Sequence, residues 1–107
     1  KIELSGNNLS GTIPSYMFYL PSLRVLNLSG NSVTMGFGDI KDSKSLKELY
    51  IDSTNVISLE GLNEATNLRV LKMDNTAFNG RQIPTELYSL TALEFLDIAQ
   101  CGFTGTL

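Results

Sequence analysis

One short pattern of apolar residues recurs five times along the 107-residue chain. Written L-x-x-L-x-L-x-x-N-x-L, it admits other apolar residues at the leucine positions and small polar residues at the asparagine position. Its third apolar position falls at Leu4, Leu28, Ile51, Met73 and Ile98, so the intervals between copies are 24, 23, 22 and 25 residues. A unit this short cannot bury its apolar face alone, so we expect stacked units to form one continuous core.

The centre of each copy alternates apolar and polar residues, which predicts a short strand. In a strand, alternate side chains point to opposite faces, so Leu26 and Leu28 should face the core while Asn27 faces outward. Stacking the units pairs these strands in parallel. Asn7 and Asn31 follow the strands where the chain turns away, and their amides can satisfy backbone groups that the turn leaves unpaired. The other copies carry smaller side chains at this position: Thr54, Thr76 and Cys101.

The pattern resembles that of the leucine-rich repeat family over essentially the whole chain, and its intervals fall within the family's range of about 20–29 residues. Some units resemble the plant-type subclass, which continues as L-S-G-x-I-P. Residues 9–14 read LSGTIP, residues 78–84 match with one residue inserted, and residues 103–107 stop where the proline would fall. The middle units differ, because residues 33–40 have no I-P and residues 57–68 are similar to a shorter class of 22–23 residues.

The segments between the strands carry their own local signals. Glycines at three equivalent positions would give the chain the freedom to bend: Gly11, Gly80 and Gly105. Pro14 and Pro84 would fix φ where the following segments begin. Apolar residues spaced three to four apart over residues 58–67 predict a short helix with Ser58 as its N-cap.

The resemblance implies an α/β fold, a right-handed solenoid with a parallel concave sheet of one short strand per repeat. Short helices, 3-10 turns or second strands would lie on the convex side. One array with about five strands would occupy residues 1–107. A solenoid end needs a polar cap, and neither end of this sequence shows one, so we expect the segment to be an excerpt of a longer array.

Composition argues against several function classes. The chain has no histidine, which removes the commonest general base and metal ligand, and its single cysteine, Cys101, is expected to be a buried and inert thiol. Gly36-Phe37-Gly38 lacks the remainder of a phosphate-binding motif and reads as a connecting loop. The net charge is −3 with no basic block, and no apolar run approaches the roughly 20 residues of a membrane span. We therefore expect no enzyme activity, cofactor, metal ion, nucleic-acid partner or membrane span in this segment.

The outward positions of the strands form the candidate recognition surface. Their chemistry is richest toward the C-terminal half, where aromatic side chains are surrounded by charges, as at many contact surfaces. Single exposed apolar residues are also normal, so a plain surface is the alternative. The predicted partner-binding residues are Glu48, Tyr50, Asp52, Val70, Lys72, Asp74, Phe95 and Asp97.

The favoured function is a binding module of an extracellular receptor-like or secreted protein, which recognises a protein, peptide or glycan on its concave face. Asn8 and Asn27 begin N-x-S sequons and are candidate N-glycosylation sites, in keeping with an extracellular or cell-surface location. One alternative is a structural or scaffold segment of a large assembly. A second alternative is an inhibitor of a secreted enzyme.

Overall fold

The computed structural model describes residues 1–78 and 82–103. Its framework is a five-stranded parallel sheet, called here the concave sheet, to which each copy of the repeat contributes one strand. A second parallel sheet of two strands lies beside it in the first two repeats. In chain order the strands are β1 (Ile2–Glu3), β2 (Ser10–Ile13), β3 (Val25–Asn27), β4 (Ser32–Met35), β5 (Glu48–Tyr50), β6 (Val70–Lys72) and β7 (Phe95–Asp97).

The concave sheet runs in the order β1-β3-β5-β6-β7, and β2 pairs with β4 in the second sheet. Its register aligns one apolar residue from each repeat, so that Leu26 lies beside Leu49, Leu49 beside Leu71 and Leu71 beside Leu96. Leu26, Leu49 and Leu71 have no solvent exposure. The predicted strand register is therefore confirmed, and the leucine column forms the centre of the core.

Within residues 1–78 and 82–103, the side behind the concave sheet contains the second sheet and four 3-10 helices: Ser15–Tyr19, Ile40–Asp42, Leu62–Glu64 and Thr85–Ser89. Pro14 and Pro84 directly precede the two longer helices with φ of −64° and −60°, as the motif predicted. Gly11 has φ of +88°, while Gly80 and Gly105, to which the motif gave the same role, lie outside the described residues. No helix in the described ranges has the length and apolar character needed to span a membrane.

The helix predicted over residues 58–67 shrinks to the single 3-10 turn Leu62–Glu64. Ser58 does not cap it, since its hydroxyl accepts a long hydrogen bond of 3.3 Å from the Glu60 amide instead. The residue before the turn is Gly61, whose φ of +95° is left-handed and interrupts a helical path. The apolar spacing had located the buried positions correctly, because Leu59, Leu62 and Ala65 all lie in the core.

Asn31 is a buried polar side chain that joins two repeats. Its Nδ2 donates to the carbonyls of Leu4 at 2.8 Å and Leu28 at 3.0 Å. Its Oδ1 accepts from the amides of Asn7 at 3.2 Å and Leu9 at 2.9 Å. This amide thus satisfies backbone groups at the turn, as predicted for this position, and most of those groups belong to the preceding repeat.

The threonines at the equivalent position make a smaller set of bonds. Thr54 donates to the Ile51 carbonyl at 2.6 Å, and Thr76 donates to the Met73 carbonyl at 2.8 Å. Each carbonyl lies three residues earlier in the same repeat. Neither hydroxyl bonds to a described group of the preceding repeat, although the Thr76 hydroxyl also lies 3.3 Å from Cys101 Sγ in the following repeat. A hydroxyl therefore keeps the local bond of the Asn31 amide but not its bonds to the preceding repeat.

Two substitutions of Asn31 should destabilise the chain by different amounts. Asn31→Ala leaves several buried backbone groups without partners and should cost about 1–3 kcal/mol of unfolding free energy. Asn31→Thr can keep the bond to the Leu28 carbonyl and should cost about half as much. Urea unfolding followed by circular dichroism measures both, and an unchanged Asn31→Thr midpoint would show that the bonds to the preceding repeat add no stability.

Candidate functional site

The outward face of the concave sheet collects the predicted recognition residues in rows that cross the strands. One row runs through Val25, Glu48, Val70 and Phe95, and the next runs through Glu3, Asn27, Tyr50, Lys72 and Asp97. Backbone hydrogen bonds place Asp52 beside Asp74 just beyond the strand ends, because Ser53 donates to the Asp74 carbonyl at 3.0 Å. All eight predicted partner-binding residues therefore share one face of the sheet.

Lys72 is the centre of charge on this face. Its Nζ lies 2.8 Å from Oδ1 of Asp74 and 3.4 Å from Oδ2 of Asp52. The hydrogen bond to Asp74, together with the charges of both carboxylates, raises the pKa of Lys72 above its ordinary value. The lysine is therefore charged at neutral pH and holds two carboxylates from adjacent repeats in place.

Tyr50 lies beside Lys72 in the same row. Its hydroxyl donates a hydrogen bond to Oε1 of Glu48, two residues earlier on the same strand. This bond raises the pKa of the Tyr50 phenol, because loss of the proton would put two negative charges side by side. The ring is half-buried and its polar end is already bonded, so Tyr50 offers a partner chiefly its aromatic surface.

Phe95 provides the apolar part of the site. Its side chain is 50% exposed on β7, next to the half-buried Val70 on β6. Asp97 is on the same strand, and its Oδ1 accepts a hydrogen bond from the Ala99 amide at 3.0 Å. The C-terminal half of the concave sheet therefore combines an exposed ring, a held cation and fixed carboxylates, which suits a polar partner with an apolar anchor.

The N-terminal half of the same face has a polar network that sequence reasoning missed. Asn27 donates to Oε2 of Glu3 at 2.9 Å, and the Ser29 hydroxyl donates to Asp52. Hydrogen bonds from Ser5 lower the pKa of Glu3. The alternation of outward positions marks these residues as surface, but it does not tell which of them bond to one another.

The two sequon asparagines differ in their surroundings. Asn8 is exposed at a turn, with φ of +58°, between β1 and β2. Asn27 is half-buried within β3, where its amide bonds to Glu3 and its Oδ1 accepts from the Ser29 amide at 3.0 Å. Asn8 is thus the more accessible of the two, and glycosylation of either stays a prediction.

Cys101 is buried, as predicted from its position in the repeat. Its thiol lies 3.1 Å from the Met73 carbonyl and 3.3 Å from the Thr76 hydroxyl. Among residues 1–78 and 82–103, no three acidic or cysteine side chains are grouped closely enough to hold a metal ion.

Two further surfaces were missed from the sequence. Three tyrosines on the 3-10 helices are exposed: Tyr16, Tyr19 and Tyr88. The negative charge of Asp39 raises the pKa of Tyr19, and Asp39 also accepts a hydrogen bond from the Ser15 hydroxyl at 2.7 Å.

Basic side chains gather at the edge where the strands of the concave sheet begin. They share one offset from the strand leucines, and this shared offset is a sequence signal that could have revealed them.

Comparison with known proteins gives a consistent picture. A family model described as Leucine Rich Repeat matches residues 1–20 and 22–42. Receptor-like protein 7 of Arabidopsis thaliana is 28% identical over 107 residues, and the alignment covers 99% of this chain. Receptor protein-tyrosine kinase CEPR1 of Arabidopsis thaliana is 33% identical over 101 residues, covering 90% of this chain. The chain spans only 11% and 10% of the lengths of these two relatives.

A solved structure shows the same architecture. A leucine-rich repeat protein from Leptospira interrogans superposes with a TM-score of 0.71 and 25% sequence identity. The match covers 81% of this chain and 22% of that protein. The likeness therefore extends over most of this chain.

Proposed function

The chain is an array of leucine-rich repeats, and we propose that it is the protein- or peptide-binding module of a cell-surface or secreted receptor-like protein. Two of its relatives are named Receptor-like protein 7 and Receptor protein-tyrosine kinase CEPR1, which supports a receptor-like context. A site built from side-chain contacts suits binding rather than catalysis.

One observation carries the choice of face. The eight residues that the strand pattern predicts all lie on the outward face of the concave sheet, and several are held by bonds between repeats. Lys72 keeps Asp52 and Asp74 in fixed positions, so these groups lose little side-chain entropy when a partner binds. Phe95 lies in the adjacent repeat and supplies exposed aromatic surface of the kind that anchors protein interfaces.

Peptides selected from a random library for binding to the chain provide the probes for a test. Tyr50→Ala and Phe95→Ala should each weaken binding, by about 2 kcal/mol or roughly thirtyfold where the ring is an anchor. The aromatic side chains on the 3-10 helices offer matched controls. Tyr16→Ala and Tyr88→Ala remove rings that are more exposed than those of Tyr50 and Phe95, and they should cost under about 1 kcal/mol.

The reverse result would favour the other functions. If the selected peptides depend on Tyr16 and Tyr88 but not on Tyr50 and Phe95, the back of the array is the contact surface, as expected of a structural segment in an assembly. Circular dichroism of every variant checks that its fold is retained. An enzyme inhibitor would use the concave sheet as well. If the partner were a secreted enzyme, the binding face would stay the same and only the class of function would change.

A further inference from the structure

Basic residues form a line across the concave sheet at the edge where its strands begin. The position two residues before the strand leucine is basic in three successive repeats, where it is occupied by Arg24, Lys47 and Arg69. In the next repeat the same position is the acidic Glu94. The Arg24 carbonyl accepts hydrogen bonds from the amides of Lys47 at 2.9 Å and Glu48 at 3.0 Å. The Lys47 carbonyl accepts in the same way from the Arg69 amide at 2.7 Å. The backbones that carry these side chains therefore lie in direct contact.

Three cations meet in one cleft on this edge, called here the basic cleft. It has a volume of about 260 Å³ and is lined by Arg24, Lys44, Ser45 and Lys47. Its backbone is fixed on both sides, since the Ser45 hydroxyl donates to the Pro21 carbonyl at 3.0 Å and the Lys44 carbonyl accepts from Asn67 at 3.1 Å. This concentration of positive charge occurs in a chain whose net charge is −3.

The cations of the basic cleft have no counter-charge in the described part of the chain. The ion pairs there involve Arg69 and Lys72, so Arg24, Lys44 and Lys47 have no described carboxylate within 4.0 Å. Like charges on neighbouring strands repel and cost stability. The next repeat shows what relieves this repulsion, because Oε2 of Glu94 lies 3.3 Å from Nε of Arg69.

We propose that the basic cleft binds the acidic side chains of a short protein segment, at a site separate from the face assigned under the proposed function. An external carboxylate would form ion pairs with Arg24 and Lys47, as Glu94 does with Arg69. The guanidinium of Arg24 offers a planar pair of donors that matches a carboxylate. The small volume of the cleft suits individual acidic side chains.

The length of the basic surface favours a short segment over a long polyanion. A nucleic acid or an acidic polysaccharide gains affinity from a continuous track of cations. Here the line of cations ends at Glu94, one repeat after Arg69. Between Arg24 and Glu94, the stretch of negative charge that can be matched therefore spans the cations of three repeats.

The test uses a fluorescent hexaglutamate peptide, with hexaglutamine as the uncharged control. The unmodified chain should bind hexaglutamate and not hexaglutamine, and the affinity should fall as salt rises from about 0.05 M to about 0.3 M. The double variant Arg24→Gln/Lys47→Gln should bind at least about tenfold more weakly. Lys44→Gln should weaken binding, whereas Lys41→Gln, an exposed lysine on the 3-10 helix Ile40–Asp42, should stay within about twofold.

Several results would overturn the proposal. They are no binding of hexaglutamate, an equal loss in Lys41→Gln, and binding of polygalacturonate or inorganic phosphate that is as tight as that of hexaglutamate. A loss of hexaglutamate binding in Phe95→Ala would place the acidic ligand on the concave sheet. This result would contradict the basic cleft and would leave the proposed function standing. Full hexaglutamate binding by Phe95→Ala and Tyr50→Ala supports the basic cleft, and if the same variants also still bind the library peptides, only the proposed function is contradicted. Thermal unfolding of Arg24→Gln/Lys47→Gln at or above the temperature of the unmodified chain shows that its loss of binding does not come from unfolding, since removal of the repelling charges should not lower stability.

Discussion

Gly61→Ala should lower the free energy of unfolding by about 3 kcal/mol or more. Two causes act together at this residue. Its φ of +95° is a conformation that L residues with a side chain adopt only with strain. A Cβ atom on Gly61 would also lie 2.6 Å from the carbonyl oxygen of Phe37 and 2.8 Å from its carbonyl carbon. The backbone of one repeat must therefore move away from that of its neighbour.

Gly36→Ala is the matched control, because Gly36 lies beside Phe37 in the connecting segment of the preceding repeat. A Cβ atom there meets nothing within 4 Å, and its φ is not in the left-handed range. This change should leave stability unaltered or raise it by about 0.4–1 kcal/mol through the entropy of the unfolded chain. Urea unfolding followed by circular dichroism compares the two variants, and similar midpoints would contradict the contact between Gly61 and Phe37.

Leu71→Ala should cost about 2–5 kcal/mol of unfolding free energy. Leu71 has no solvent exposure and lies between Leu49 and Leu96 in the leucine column, so truncation leaves a cavity that neighbours on both sides help to line. Because each repeat in a solenoid contacts only its neighbours, a cavity at β6 weakens both of its interfaces.

Leu20→Ala removes the same atoms from a side chain that is 47% exposed, and it should cost less than about 1 kcal/mol. The comparison is made by urea unfolding of the two variants under one set of conditions. Equal losses would mean that the strand register assigned to the leucine column is wrong.

The strand register could be predicted from the sequence because two periodicities agree. Alternation along each strand decides which side chains face inward, and the interval of 22–25 residues decides which strands are neighbours. Together these rules place Tyr50 beside Lys72 and Lys72 beside Asp97. The membership of the candidate site follows from them without knowledge of any side-chain conformation.

Other features depend on contacts that no periodicity encodes. The predicted helix over residues 58–67 fails because Gly61 takes a left-handed φ and its backbone packs against Phe37. The pairing of Lys72 with Asp52 and Asp74 rather than with Asp97 depends on side-chain rotamers. The Tyr50 hydroxyl similarly turns to Glu48 on its own strand, so the residue presents less polar chemistry than its sequence position suggested.

The Asn31 amide makes mechanical coupling uneven along the array. In a repeat protein, stability divides into the intrinsic stability of each repeat and the coupling between nearest neighbours. Asn31 adds to the coupling term, because it bonds to Leu4, Asn7 and Leu9 of the preceding repeat. Thr54 instead bonds to Ile51 and Val56 within its own repeat. A pulling force or a fluctuation that separates neighbouring repeats must therefore break the bonds of a buried side-chain amide at the first junction. At the second junction the Thr54 side chain adds no such bond, and the backbone bond from the Asn55 amide to the Val33 carbonyl at 2.9 Å carries the load at that turn.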